Sequence, residues 1–157
     1  MADKPVEVKV IATNRKASHD FHIHERVEAG VVLVGSEVKS LRDAKATLVD
    51  GWAEIRKGEA WLHGITINEY AHANRWGHEI GRLRKLLLHR HELDKLAIKT
   101  QQRGYTLIPL SLYFKNGVVK VELGLVTNKQ HHDKRAAKKE ADAKREVAQA
   151  MKDAKRR

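Results

Sequence analysis

The chain has 157 residues, 41% hydrophobic and 32% charged, with a net charge of +11 and no cysteine. That length suits one domain plus an appendage, and the charge favours a polyanion such as nucleic acid. The lack of cysteine excludes disulfides, thiol nucleophiles and Cys-based zinc sites.

Val6 to Ile11 alternates as a strand, and Asn14-Arg15-Lys16-Ala17 is a polar turn. Phe21 to Val27 alternates weakly. Val31 to Val34 predicts a β-branched strand bounded by Gly30 and Gly35. Ser36 then suits a helix N-cap, with Glu37 in the first turn and Val38 and Leu41 facing a core. Trp52–Ile55 and Ala60–Ile67 predict two more strands. Residues 70–85 show no periodicity and carry Arg75, Arg82, Arg84, Lys85 and a lone Trp76. A long basic loop of this kind is usually functional or disordered. Arg90 to Gln102 predicts a helix with Leu93, Leu96, Ala97 and Thr100 on one face, and Gly104 at its C′ position.

The next segment is the best specified. Thr106–Phe114 and Val118–Val126 flank Lys115-Asn116-Gly117. Asn-Gly suits a type I′ turn, which needs φ > 0 at both central residues. The turn sets Phe114 opposite Val119, Leu112 opposite Val121, Leu110 opposite Leu123 and Ile108 opposite Leu125. On the other face Tyr113 meets Lys120 and Ser111 meets Glu122. Past Val126 the chemistry changes abruptly. Residues 128–157 hold 11 Lys/Arg against 5 Asp/Glu, about half the net charge in a fifth of the length. The expected organisation is a body over 1–127 and a basic, helix-prone tail over 128–157. Glu140 and Lys144 make a favourable i, i+4 pair. A lone helix is marginal in water, so the tail is expected to be disordered when free and to order on a partner. Short strands with a few helices point to a small antiparallel barrel or sandwich.

The histidine pairs His22/His24, His89/His91 and His131/His132 invite a metal reading, but no third ligand stands at useful spacing. Ser18, Ser36, Ser40 and Ser111 sit in no catalytic motif, and no Gly-rich phosphate loop is present. No catalytic residue, metal or cofactor is expected. The chain has eight aromatics, of which Trp52, Trp61, Phe21 and Phe114 read as core by alternation. Few remain for base stacking. Basic loops on such a barrel suit a folded RNA read by shape and backbone. Trp76 is either a stacking residue or a loop residue folded back on the core.

Motifs along most of the chain resemble the SmpB family. They include Asn14-x-Lys16-Ala17, Glu28-Ala29-Gly30, Gly35-Ser36-Glu37-Val38-Lys39-Ser40-Leu41-Arg42 and Gly58-Glu59-Ala60-Trp61-Leu62. Arg84-Lys85-Leu86-Leu87-Leu88-His89, Gly104-Tyr105-Thr106, Pro109-Leu110-x-Leu112-Tyr113-Phe114-Lys115 and His132-Asp133-Lys134-Arg135 continue them. The resemblance implies an oligonucleotide-binding-type barrel with flanking helices. It implies a protein that binds the tRNA-like domain of transfer-messenger RNA. The family brings that RNA to stalled ribosomes for trans-translation, with its tail in the empty mRNA channel. By resemblance, Asn14, Lys16, Glu28, Lys85, Leu87 and His89 fall at RNA-contacting positions; Lys39, Arg42, Arg82 and Arg84 are further basic candidates for RNA contact, able to meet phosphates. His132, Asp133, Lys134 and Arg135 fall where the family's tail meets the decoding centre, and Lys129, Lys138, Lys139, Lys144 and Arg145 are the further tail residues expected to contact the decoding centre or mRNA channel. The chain departs from the family at Asn128-Lys129-Gln130, where Gly-Lys-Lys is common, and at Asn68-Glu69-Tyr70, which lacks a proline often seen there.

Glu28 has two readings: a partner for a nearby Lys or Arg, or an acceptor for a base amino group or 2′-hydroxyl. The competing functions are a general ribosome-associated barrel and an enzyme such as a nuclease. His-Asp-Lys-Arg before a basic helix separates the adaptor from the first. The scatter of acid–base groups argues against the second. The longest apolar run, Ala29 to Val34, is too short to cross a bilayer, and the N-terminus lacks the apolar segment of a signal peptide. A cytoplasmic monomer with no membrane partner is expected.

Overall fold

The computed structural model describes residues 5–69, 79–129 and 131–155; within 131–137 only the Arg135 side chain is described. In chain order the elements are β1 (Val8–Thr13), α1 (Ala17–Asp20), β2 (Phe21–Val31), α2 (Gly35–Arg42), β3 (Ala46–Thr47) and β4 (Trp52–Arg56). Then follow β5 (Glu59–His63), β6 (Thr66–Ile67), β7 (Arg84–Leu87), α3 (Arg90–Thr100), β8 (Tyr105–Lys115), β9 (Val118–Asn128) and α4 (His131–Lys155).

The strands pair in the order β8-β4-β5-β7-β2-β9, and β9 pairs back to β8, so six strands close a ring. Every pairing is antiparallel. Strand β8 is long enough to meet β4 at Leu107 and β1 from Ser111 to Lys115. Leu62, Leu107, Leu112, Val121 and Leu123 fill the ring, each at most 1% exposed. Closure leaves no long free edge in the ring.

The hairpin turn is as expected: Asn116 and Gly117 have φ of 50° and 81°. The expected register holds from the turn as far as Ser111 opposite Glu122. Beyond it a bulge between Pro109 and Ser111 shifts the pairing. Leu123 therefore faces Pro109 rather than Leu110, and Leu125 faces Leu107 rather than Ile108. Proline has no N–H for the ladder, and a bulge is where a sheet tolerates one. The extra residue also reverses which face each side chain takes. Leu107 and Leu112 both enter the main core, while Ile108 and Leu110 pack with Ala17 and Val126 in a second, smaller one. Gly124 makes room there, since a Cβ would lie 2.9 Å from Leu110 Cδ1.

Other expectations change with the fold. Phe21 to Val31 is one strand, and no strand continues to Val34. Gly30 lies inside that strand because Leu87 crosses it, 3.3 Å from where its Cβ would be. Helix α2 is capped by Glu37 rather than Ser36: Glu37 Oε1 accepts from the Val34 N–H at 3.0 Å. Ala60–Ile67 is two strands, broken at Gly64, whose φ is 72°. Arg84 and Lys85, expected at the end of the basic loop, belong with Leu86 and Leu87 to a strand of the ring. The cap of α3 is Gln101, so Gly104 closes the following turn instead. Trp52 is not core; it is 42% exposed and stacks on His63, with ring centroids 4.1 Å apart. Trp76 lies outside the described residues.

Candidate nucleic-acid interface

Strand β7 alternates cleanly. Arg84 and Leu86 turn inward and are buried, while Lys85 and Leu87 turn outward. On neighbouring β2, Ala29 enters the core and Glu28 is exposed. On β9, Val119 and Val121 are in the core, which leaves Lys120 on the outer face. Helix α3 packs Leu93 and Leu96 inward. Glu25 of β2 accepts from Lys95 and Lys99 of α3 at 2.7 and 2.8 Å, tying the helix beside the sheet.

These elements enclose a groove of about 710 Å³ whose walls include Glu28, Gly30, Leu87, His89, His91 and Lys120. Three of the predicted site residues, Glu28, Leu87 and His89, thus meet around one concavity. Leu87 is 54% exposed there, an apolar surface for a sugar or base. The His89 and His91 rings stack with centroids 5.8 Å apart.

Glu28 is held from two sides. The Tyr113 hydroxyl donates to Oε2 at 2.5 Å, and Lys115 Nζ lies 3.2 Å from Oε1. The Tyr113 hydrogen bond, with help from Lys115 and Lys120 and against partial burial, holds the Glu28 carboxyl below its usual range. Burial, then the same carboxylate, pushes the Tyr113 hydroxyl well up. Glu28 is therefore an ionised acceptor at neutral pH. Tyr113 and Lys120 were already paired on the hairpin's polar face by the Asn-Gly turn. Tyr113 and Lys115 also end a family motif, and His91 stands in a His-x-His pair, but none of these signals pointed to this groove.

The other predicted residues lie elsewhere. Asn14 is 8% exposed. Its N–H donates to Leu110 O at 2.8 Å and its Nδ2 to Pro109 O at 3.1 Å, which satisfies the bulge. Lys16 is exposed at the start of α1. Asn14 lines a second hollow with Arg26 and Glu122. Arg26 also borders the main groove and pairs with Glu122 at 2.9 Å, so the two hollows adjoin. Lys39 and Arg42 are exposed on α2 and do not line either hollow. Lys85 Nζ lies 3.3 Å from Glu59.

Arg84 is a correction. It is fully buried, and its guanidinium donates to Glu37, Arg82 O and Ile80 O. A cation enclosed and hydrogen-bonded in this way presents nothing to a phosphate. Arg82 is partly committed too, donating to Glu37 Oε1 at 2.5 Å.

In the tail, Lys129 Nζ donates to Ser18 O at 2.8 Å and its N–H to Asp20 O, which fixes the root of α4 against α1. Arg135, Lys138, Lys139, Lys144 and Arg145 are exposed along α4. Lys138 and Arg145 border a hollow with Ser18 and His19. The side chains of His132, Asp133 and Lys134 lie outside the described residues. Among the described residues no group of three or more His, Asp or Glu could hold a metal. No described helix is long and apolar enough to cross a membrane.

Comparison with known proteins gives one result. The model of the SmpB protein family matches residues 11–153. The SsrA-binding protein of Geobacter sulfurreducens is 55% identical over 145 residues, 92% of this chain and 95% of that protein. That of Thermobifida fusca is 52% identical over 149 residues, 95% and 93% of the two. That of Bacillus cereus strain B4264 is 50% identical over 145 residues, 92% and 94% of the two. A solved chain, from work described as "tmRNA-SmpB: a journey to the center of the bacterial ribosome", superposes with a TM-score of 0.65 at 43% identity, over 76% of this chain and 85% of that one. With a family match and half-identical relatives over nearly its whole length, the chain belongs to the SmpB family.

Proposed function

We propose that this chain binds transfer-messenger RNA and takes part in trans-translation on the ribosome. The family match, the SsrA-binding relatives and the tmRNA–SmpB structural neighbour support it. Its working place is then the cytoplasm, where ribosomes are. It acts by binding rather than by catalysis, with the barrel of residues 1–127 as anchor and residues 128–157 as a probing arm.

The observation that supports the RNA surface is the meeting of Glu28, Leu87 and His89 around one groove. In this reading the tRNA-like domain lies in the groove. Glu28 accepts from a 2′-hydroxyl or base amino group, Leu87 packs on a sugar or base, and Lys85, Lys120 and His89 meet backbone phosphates. Lys16 extends the surface past α1, and Lys39, Arg42 and Arg82 add positive charge. The exposed cations of α4, with His132, Asp133, Lys134 and Arg135 at its N-terminal end, enter the decoding centre and the empty mRNA channel.

The test is Glu28→Ala in a binding titration with the tRNA-like RNA beside a thermal melt. Binding weakens by about 1–3 kcal/mol, the range for a lost specific contact, with little change in the melt, because Glu28 is exposed. Unchanged affinity removes Glu28 from the interface. Sequencing the RNA that co-purifies from the host tests the partner. A single dominant tRNA-like species supports the adaptor; a broad mixture of ribosomal RNA supports a general ribosome-associated barrel.

A further inference from the structure

We propose that Tyr113 and Lys115 of β8 are positioning residues that aim the Glu28 carboxylate at the RNA, an inference that rests on the groove reading above. Tyr113 is not a register neighbour of Glu28. It stands opposite Lys120 of β9, and Lys120 stands opposite Gly30 of β2. The Tyr113 and Glu28 side chains therefore meet over β9 and together bridge two strand spacings, about 10 Å. Only a long side chain with a terminal donor makes that reach, and a phenylalanine would arrive without a donor. Tyr113 is 8% exposed although it sits on the polar face of the hairpin, so its ring is packed against its neighbours.

The arrangement leaves the carboxylate usable. An ionised carboxylate has about four acceptor positions. Tyr113 takes one on Oε2, and Lys115 Nζ shares the two oxygens at 3.2 and 3.4 Å. Positions remain for an RNA hydroxyl or amino group. Both protein partners are donors and so favour the ionised form, which cannot itself donate. A side chain already ordered loses less freedom when the ligand arrives. Lys115, with Lys120 alongside, also offsets the charge that would repel nearby phosphates. The other titratable and charged groups around Glu28 are Glu122 opposite it on β9, Glu25 and Arg26 on its own strand, and His89, His91, Glu92 and Lys95 across the groove.

The test compares wild type, Tyr113→Phe, Glu28→Ala and the double variant in titrations with the tRNA-like RNA, each with a thermal melt. Tyr113→Phe weakens binding about five- to tenfold, the scale of one ordinary net hydrogen bond. The double variant binds no worse than Glu28→Ala, because Tyr113 acts through Glu28. As pH falls toward 4.5, the ordinary value of the group, the Tyr113→Phe deficit widens, because Glu28 without its hydroxyl donor protonates before the wild-type carboxyl does. A merely structural role would not produce that widening. Lys115→Met gives the same pattern more weakly, and decides the question if Tyr113→Phe lowers the melt. Full additivity of Tyr113 and Glu28, or a pH-independent deficit, overturns the positioning role and leaves the groove reading standing. Wild-type binding by Glu28→Ala overturns both.

Discussion

Glu37 and Arg84 form an ion pair inside the protein, with both side chains fully buried and 2.5 Å between Nη2 and Oε2. Glu37 joins α2 to β7 through Arg84, and it also caps Val34 and accepts from Arg82. Removing one partner of such a pair strands a charge in the interior. Glu37→Ala or Arg84→Ala should therefore cost about 3–5 kcal/mol in denaturant unfolding. The Glu37→Met/Arg84→Met double variant should cost less than either single. An Arg84→Ala protein that melts like wild type would contradict the buried placement.

The same pair sets an acid limit. Burial raises the Glu37 carboxyl, but hydrogen bonds from Arg82, the Val34 N–H and Arg84 outweigh it and hold the group below its ordinary 4.5. A depressed carboxylate contributes stability that is present above the unfolded value and lost as pH falls through the folded one. Unfolding free energy should hold from neutral pH to near pH 4.5 and then fall. Stability flat to well below that pH would refute it.

Asn14 should behave as a structural residue. Asn14→Ala leaves Pro109 O without its donor at a buried bulge. A loss of about 1–2 kcal/mol in the melt is expected, alongside any change in RNA affinity. A loss of affinity with an untouched melt would mean that the amide serves the RNA alone.

The phosphate contribution should be carried by the cations that point outward. Lys85→Gln and Lys120→Gln should each reduce the salt slope of RNA binding by up to about one unit. Arg84→Gln should reduce stability instead, with no slope change of its own. Slopes equal to wild type in both lysine variants would place β7 and β9 off the RNA.

Truncation after Asn128 removes Lys129 and α4 but no residue of either core. The barrel should fold with nearly unchanged stability, and binding to isolated transfer-messenger RNA should fall modestly through lost long-range attraction. Peptide tagging on stalled ribosomes should fail. Circular dichroism of the isolated tail peptide should show mostly coil, with helix in trifluoroethanol, because the described α4 side chains are exposed and a lone helix is marginal. Near-normal tagging by the truncated protein would reduce the arm to a solubility appendage.

Local chemistry alone determined several features. Asn116-Gly117 dictated its turn, and with it the pairs from Phe114–Val119 to Ser111–Glu122, because turn geometry and a two-residue period act over adjacent residues. The 3.6-residue spacing of Leu93 and Leu96 likewise located the buried face of α3. The family motifs brought Glu28, Leu87 and His89 forward together. Tertiary structure decided what lies over each face. Alternation divided Trp52 from Ala53 but could not tell which side the ring would enclose; Ala53 went inside and Trp52 stayed out. Arg84 looked like one more cation of a basic loop until ring closure put it in the interior against Glu37, 47 residues earlier in the chain. The bulge at Leu110 depends on Asn14 of a distant segment, and the grip of Tyr113 on Glu28 depends on β9 lying between their strands. Each of these is a contact between residues far apart in sequence, and no local period encodes which distant partner arrives.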